Sequence, residues 1–280
     1  MGKVALITDS TAYIPKELRE EKNIFMIPLN VVFGQESYQE ELDITTEEFY
    51  EEMKKREELP KTSQPAIGLF EEIYTKLSKD YDEIIVITLS SGISGTYQTA
   101  VTAATMVEDV KIHVFDSEVS CIVQGFYVLK AAEMISKDAE CSDIMKTLHE
   151  MKKSTRAYFM VDDLSHLHRG GRLNDAQLFV GSLLKIKPVL HFTNKVIVPY
   201  KKVRTEKKAI NLILDLLDDE AKDVPLNITV IHANRLEKGE LLANSLREKY
   251  PNSSVSVSYF GPVIGTHLGE GSLGIGWTKK

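Results

Sequence analysis

The chain has 280 residues, 43% of them hydrophobic, enough apolar material for one large or two medium packed cores. A net charge of −7 and a pI near 5.6 argue against nucleic acid as a partner, because phosphate binding leans on clustered Lys and Arg. Cys121 and Cys141 lack the spacing of a disulfide framework or zinc site. With no signal peptide before Val4, no apolar run of membrane-spanning length and no myristoylation motif, a reduced, cytoplasmic protein is expected.

Residues 4–7 read as a buried strand that ends in a hydroxyl-rich turn, Thr8-Asp9-Ser10-Thr11, with Pro15 suited to the first turn of a helix. Residues 24–33 form a second apolar strand region. Residues 45–55 form an acidic amphipathic helix whose Thr45 and Glu48 fit a capping box. Residues 59–65 are a loop, and Pro65 is pre-set for the N1 position of a helix over 67–77, which places Thr62 and Ser63 at a helix entrance.

The central stretch comes next. Residues 84–89 are a short β-branched apolar run, the signature of a buried parallel strand, and Ser90-Ser91-Gly92-Ile93-Ser94-Gly95-Thr96 then opens a helix carrying Ala100, Ala103 and Ala104. Free N–H groups, the helix dipole and glycine together make such a turn an anion site. A strand over 111–115 and helices over 119–136 and 142–153 follow. Alternation of this kind means a parallel sheet with helices on both faces and ligands beyond the strands' carboxyl ends. This unit is expected to span residues 1–155.

Residues 156–280 read as a smaller α+β unit with an antiparallel or mixed sheet. Residues 158–161 fit a strand returning to either sheet. Residues 165–172 are a basic, glycine-broken loop, 187–192 and 196–200 a hairpin about Thr193-Asn194-Lys195, and 204–217 an amphipathic helix. Strand 227–232, helix 236–249 and strand 255–259 precede a glycine-punctuated loop, 261–274, which carries His267 and ends in a short strand near Trp277.

Several motifs fail their usual tests. Ser94 lies after a strand and before a helix, and Ser94 followed by His267 has the chain order of a serine hydrolase. A nucleophile elbow, however, needs G-x-S-x-G, and here glycine follows Ser94 directly. No G-x-x-x-x-G-K-[ST] phosphate loop occurs. His166 and His168 lack a third metal ligand nearby. Arg169, Arg172 and Arg204 sit in turn or glycine-rich settings suited to a carboxylate or phosphate, with solvated surface arginine as the competing account.

Six blocks in order, Thr8-Asp9-Ser10-Thr11-Ala12, Lys61-Thr62-Ser63-Gln64-Pro65, Ser90 to Thr96, Arg169-Gly170-Gly171-Arg172, Lys185-Ile186-Lys187-Pro188 and Gly261 to His267, resemble the DegV family of bacterial fatty-acid-binding proteins. Tyr13 stands where that family usually has a small acid, and Glu270 and Ser272 replace a proline and an alanine, Glu270 adding negative charge near the expected anion site. The resemblance implies a carrier subunit of a fatty-acid kinase. It would hold a long-chain fatty acid in a buried tunnel between the two units, with no other cofactor and no metal, while a separate ATP-dependent kinase subunit phosphorylates the carboxylate. The acyl phosphate would pass to a membrane acyltransferase for phospholipid synthesis. On this reading Thr62, Ser63, Ser94, Gly95 and His267 hold the carboxylate, Arg172 and Arg204 near the mouth support phosphotransfer, and the chain alone has no catalytic residue. The alternatives are an acyl-ester hydrolase using Ser94 and His267, and a lipid-sensing regulatory protein.

Overall fold

The computed structural model describes residues 2–173, 186–222 and 224–280. In chain order its first part runs β1 (Val4–Asp9), a short 3-10 turn (Ser10–Ala12), α1 (Lys16–Glu21), β2 (Ile24–Ile27), β3 (Asn30–Phe33), β4 (Glu36–Gln39), α2 (Thr46–Lys55), β5 (Lys61–Ser63), α3 (Ile67–Leu77), β6 (Glu83–Thr88), α4 (Thr96–Ala104), β7 (Lys111–Asp116), α5 (Cys121–Ile135) and α6 (Cys141–Met151). There follow β8 (Arg156–Met160), α7 (Ser165–Gly170), β9 (Lys187–Thr193), β10 (Val196–Val203), α8 (Glu206–Ala221), β11 (Leu226–His232), α9 (Leu236–Lys249), β12 (Ser254–Tyr259), α10 (Pro262–Leu268) and β13 (Leu273–Lys279).

The first sheet is parallel, in the order β2-β1-β6-β7. Side chains alternate across a strand, so its two faces are read directly from sequence. Ala5, Ile7, Ile84 and Val86 meet Phe70 and Tyr74 of α3 and Ala100 and Ala103 of α4, while Leu6, Ile85 and Ile87 meet the face covered by α5. The expected α/β class with helices on both faces is what the molecule has. The second sheet is mixed, β10-β9-β8-β13-β11-β12, antiparallel except for the β11–β12 pair. Its outer face packs α8 and α9 around Ile228, Val230, Ile275 and Trp277. Its inner face, with Phe159, Leu190 and Ile231, joins the core around α5. Helix α5 therefore lies between the two sheets, and its residues 121–125 are all buried.

Several elements depart from the sequence expectation. Residues 24–33 are two strands: β2 extends the parallel sheet, whereas β3 turns away into a small antiparallel sheet, β4-β3-β5. Thr62 and Ser63 accordingly lie on strand β5, and Pro65 precedes Ala66, the N-cap of α3, instead of occupying N1. Residues 165–170 are helical, not a loop. The tail holds the largest difference: residues 262–268 form α10, all seven of them buried, and β13 is an inner strand of the second sheet. The glycines that suggested a loop serve close packing instead. A Cβ on Gly261 would stand 2.4 Å from the Tyr13 ring, and one on Gly265 2.7 Å from the Tyr50 hydroxyl. The expected capping box is present, Thr45 Oγ1 accepting from Glu48 N–H and Glu48 accepting from Thr45 N–H. Lys185 lies outside the described residues.

Candidate functional site

Between the two sheets lies a cavity of about 310 Å³. Its apolar lining comes from Leu89 after β6, Cys121 and Val123 of α5, Phe159 of β8, Phe192 of β9 and Ile231 of β11. Each belongs to the inner face of its element, which is why an apolar chamber forms where the two sheets face one another. Besides Ser120 before α5, its polar lining comes from a cluster: Thr62, Ser63 and Gln64 from β5 and its end, Ser94 and Gly95 from the turn before α4, Arg172 after α7, and His267 of α10.

The links within that cluster are specific. Thr62 Oγ1 and His267 Nε2 are 2.8 Å apart. Arg172 donates from Nε to the Ile93 carbonyl at 3.0 Å and from Nη1 to the Gly170 carbonyl at 2.5 Å, which holds its guanidinium between the Ser94 turn and α7. Gly170 lies directly against the imidazole, since a Cβ there would stand 2.3 Å from His267 Nδ1. A Cβ on Gly95 would likewise meet Gln64 Oε1 at 1.9 Å, so glycine leaves room for the Gln64 side chain against the turn. Burial pushes His267 down to about 4, assisted by the Arg172 charge and by His166, so its imidazole is neutral at pH 7. Its Nδ1 is buried without a partner among the described residues.

Five of the expected head-group residues, Thr62, Ser63, Ser94, Gly95 and His267, thus line one cavity, together with Arg172. Arg204 does not. It occupies an exposed bend after β10, beside the Val203–Lys187 pair, at the opposite end of the β9–β10 ladder from the lining pair Ile197–Phe192. Five residues at about 3.3 Å each set those pairs some 17 Å apart. The turn 90–96 is mostly bound to itself and its neighbours. Ser90 Oγ donates to the Lys195 carbonyl, Ser91 Oγ to Asp116, and the Ile93 and Ser94 N–H groups to the Ser90 carbonyl. Its contribution to the lining is Ile93, Ser94 and Gly95. The first hydroxyl turn faces away from the cavity: Thr8 bonds the Ile87 carbonyl, and Asp9 accepts from Leu89 N–H and from Thr11. Glu270 is paired with Lys54 at 2.7 Å and does not line the cavity.

The nucleophile–base pair of a hydrolase is not formed. His267 bonds Thr62, and Ser94 Oγ bonds Thr96 Oγ1 at 2.9 Å. Among the described residues one group offers three metal donors within 4.8 Å, Glu83, His113 and Cys141. It lies at the start of β6 and β7, away from the cavity, and Lys111 already shares the Glu83 carboxylate at 3.5 Å. Sequence reading missed the residues that seat α10, chiefly Glu40, Tyr13 and Tyr50. Nothing in an acidic run such as Gln39-Glu40-Glu41 separates a buried carboxyl from a solvated one.

The class is therefore an α/β protein in which a parallel and a mixed sheet enclose an apolar cavity closed by a cluster of hydroxyls, a neutral histidine and an arginine. The model of the family described as "Uncharacterised protein, DegV family" matches residues 3–280, and the chain belongs to the DegV family. It is 58% identical to Protein DegV of Bacillus subtilis over 279 residues, 99% of each chain. Among solved structures it is similar to DegV of Bacillus subtilis, described as a fatty acid binding protein, at 57% identity and a TM-score of 0.95 over 100% of both chains. It is also similar to the fatty acid binding DegV family protein of Streptococcus agalactiae, at 31% identity and a TM-score of 0.92 over 100% of both chains. No helix among the described residues is long and apolar enough to cross a membrane.

Proposed function

We propose that this chain binds a long-chain fatty acid between two units, residues 1–155 and 156–280, and presents its carboxylate to a separate ATP-dependent kinase subunit. The acyl phosphate then passes to a membrane acyltransferase for phospholipid synthesis, and the protein works in the cytoplasm. One observation carries the reading: an apolar cavity that ends in the Thr62–His267 pair with Arg172 beside it. Such a chamber suits a ligand with one anionic end and a long apolar body.

In this reading the neutral imidazole donates from Nε2 to Thr62 Oγ1, and the Thr62 hydroxyl donates onward to the carboxylate. Ser94 supplies a second hydroxyl, and Ser63 and Gly95 complete the rim. Hydrogen bonds to a charged group contribute about 1.5–3 kcal/mol each, whereas each buried methylene contributes about 0.8 kcal/mol. A long acyl tail therefore dominates affinity, and the head group sets orientation. Arg172 balances the ligand's charge and, with Arg204 on the outer surface, supports phosphotransfer with the kinase. The relatives described as fatty acid binding favour lipid binding over the hydrolase, and turnover with a kinase separates the carrier from a purely sensing role.

Solvent extraction of protein purified from bacteria, followed by mass spectrometry, tests the binding step. Fatty acid in near-stoichiometric yield is expected, and empty protein in repeated preparations overturns the reading. Turnover with a fatty-acid kinase subunit and ATP tests the carrier step against the sensing role.

A further inference from the structure

Glu40 has no exposed surface, lies outside the cavity lining, and reaches helix α10 across most of the chain. Its Oε1 accepts from Val263 N–H at 2.8 Å and from the Tyr13 hydroxyl at 2.9 Å, and its Oε2 accepts from Ser10 Oγ at 2.5 Å. Tyr13 Oη in turn accepts from Ile264 N–H at 3.3 Å. The first turn of a helix leaves its N–H groups without intrahelical acceptors. Here two of them are met by one buried acid–phenol pair from the other end of the sequence. Val263 and Ile264, whose N–H groups are held, both line the cavity. Ser10 Oγ also accepts from the N–H of Leu29, another lining residue, at 3.1 Å.

The same helix is fixed from a second side. Tyr50 of α2 donates to the Phe260 carbonyl at 2.8 Å, and Gly261 and Gly265 bring α10 directly onto the Tyr13 and Tyr50 rings. His267 is the sixth residue of α10. At about 1.5 Å of rise per residue, a shift in the first turn is carried along so short a helix to the imidazole. An acid buried here costs desolvation that a purely apolar contact would avoid, and the three donors aimed at it offset that cost.

We propose that Glu40 is a positioning residue for the head-group site: its carboxylate, bonded to Val263 N–H and Tyr13, fixes the seating of α10 and thereby holds His267 Nε2 against Thr62. This inference rests on the fatty-acid reading above for its functional consequence, but its geometric part stands without a ligand. The titratable groups facing Glu40 are Tyr13 beside the 3-10 turn, Tyr50 on α2, Cys121 on α5, Tyr259 on β12 and the adjoining Glu41, itself paired with Arg19 at 2.8 Å. Burial pushes Tyr13, Tyr50 and Cys121 up, so they stay protonated, while it brings Glu40 up to about 7.

The test uses the full chain labelled with 15N-histidine, the His267 imidazole being identified by its absence from His267→Gln, together with calorimetric titration of palmitate and oleate. Glu40→Leu is expected to shift or broaden the His267 Nε2 resonance in ligand-free protein and to weaken binding tenfold or more. Glu40→Gln keeps an acceptor for Val263 N–H and should stay close to wild type in both readouts. Tyr74→Phe removes a buried hydroxyl bond to the Ala100 carbonyl in the opposite core and serves as the control for general destabilisation. An unchanged His267 resonance in Glu40→Leu, or the same loss in Tyr74→Phe, overturns the proposal. If Glu40→Leu does not fold, Tyr13→Phe reads the same linkage, and an undisturbed imidazole there overturns it equally. If wild-type protein binds neither lipid, the fatty-acid reading falls, and the imidazole resonances alone decide the role of Glu40.

Discussion

Thr62 Oγ1 and His267 Nε2 are 2.8 Å apart although 205 residues separate them in the chain. Thr62 comes from the three-residue strand β5 at the edge of the small sheet, and His267 from a buried helix that sequence patterning reads as a loop. Their meeting closes the polar end of the cavity.

Thr62→Val and His267→Ala should each weaken fatty-acid binding by about 1.5–3 kcal/mol, a factor of roughly ten to more than a hundred. Ser94→Ala should cost less, because its hydroxyl is shared with Thr96. Calorimetry with palmitate measures all three, and wild-type affinity in Thr62→Val would remove the pair from the site.

Two buried groups should give opposite pH dependences of stability. Glu40, raised from 4.5 to about 7 by burial, contributes stability that is full below pH 4.5 and lost as pH rises through 7. His267, lowered from 6.5 to about 4 by burial, contributes stability that is full above pH 6.5 and lost as pH falls through 4. Each amounts to about 3 kcal/mol over its window, and in the wild type they offset one another. Relative to wild type, Glu40→Gln should therefore gain stability as pH rises from 4 to 7, and His267→Gln should lose it. Urea unfolding at a series of pH values reads the difference, and parallel pH profiles for the three proteins would contradict it.

Bound fatty acid should raise the His267 pKa. The ligand-free value is held down by desolvation and by Arg172, and a carboxylate beside the ring favours the imidazolium. The imidazole resonances, titrated with and without saturating oleate, should show the upward shift. No shift would place the carboxylate elsewhere.

Arg172→Ala should keep the lipid and lose turnover with the kinase subunit, since its contacts are to the Ile93 and Gly170 carbonyls at the polar end and not to the apolar wall. Lipid extraction and kinase assay separate the two effects, and loss of bound lipid would overturn the assigned role. Arg204→Ala, on the exposed bend, should leave lipid content unchanged.

Gly92→Ala should destabilise the fold by about 1–3 kcal/mol, because the new methyl would stand 2.3 Å from the Lys195 carbonyl oxygen, a backbone atom that cannot turn aside. Thermal unfolding reads this directly. A neutral substitution would mean that the 194–195 hairpin tip moves freely over the turn.

Local chemistry in the sequence determined much of this molecule. The apolar run of β6, the alternation of strand and helix through β7 and the Thr45–Glu48 box are short-range patterns, and each formed as those patterns require. So did the turn that carries Ser94 and Gly95 into α4, because turn chemistry is written in neighbouring residues. What only the tertiary structure decided is where side chains point and what glycine is for. Residues 261–268 read as part of a glycine-punctuated loop because glycine lowers helix propensity, yet close contact with Tyr13 and Tyr50 outweighs that cost and makes 262–268 a buried helix. Thr8 and Thr11 have the same local signature as Ser94 but are spent on buried bonds to Ile87, Asp9 and Gln124. Glu40 reads as one more surface acid until folding brings the first turn of α10 onto it, because burial and long-range hydrogen bonding are properties of the packed chain and not of its local pattern.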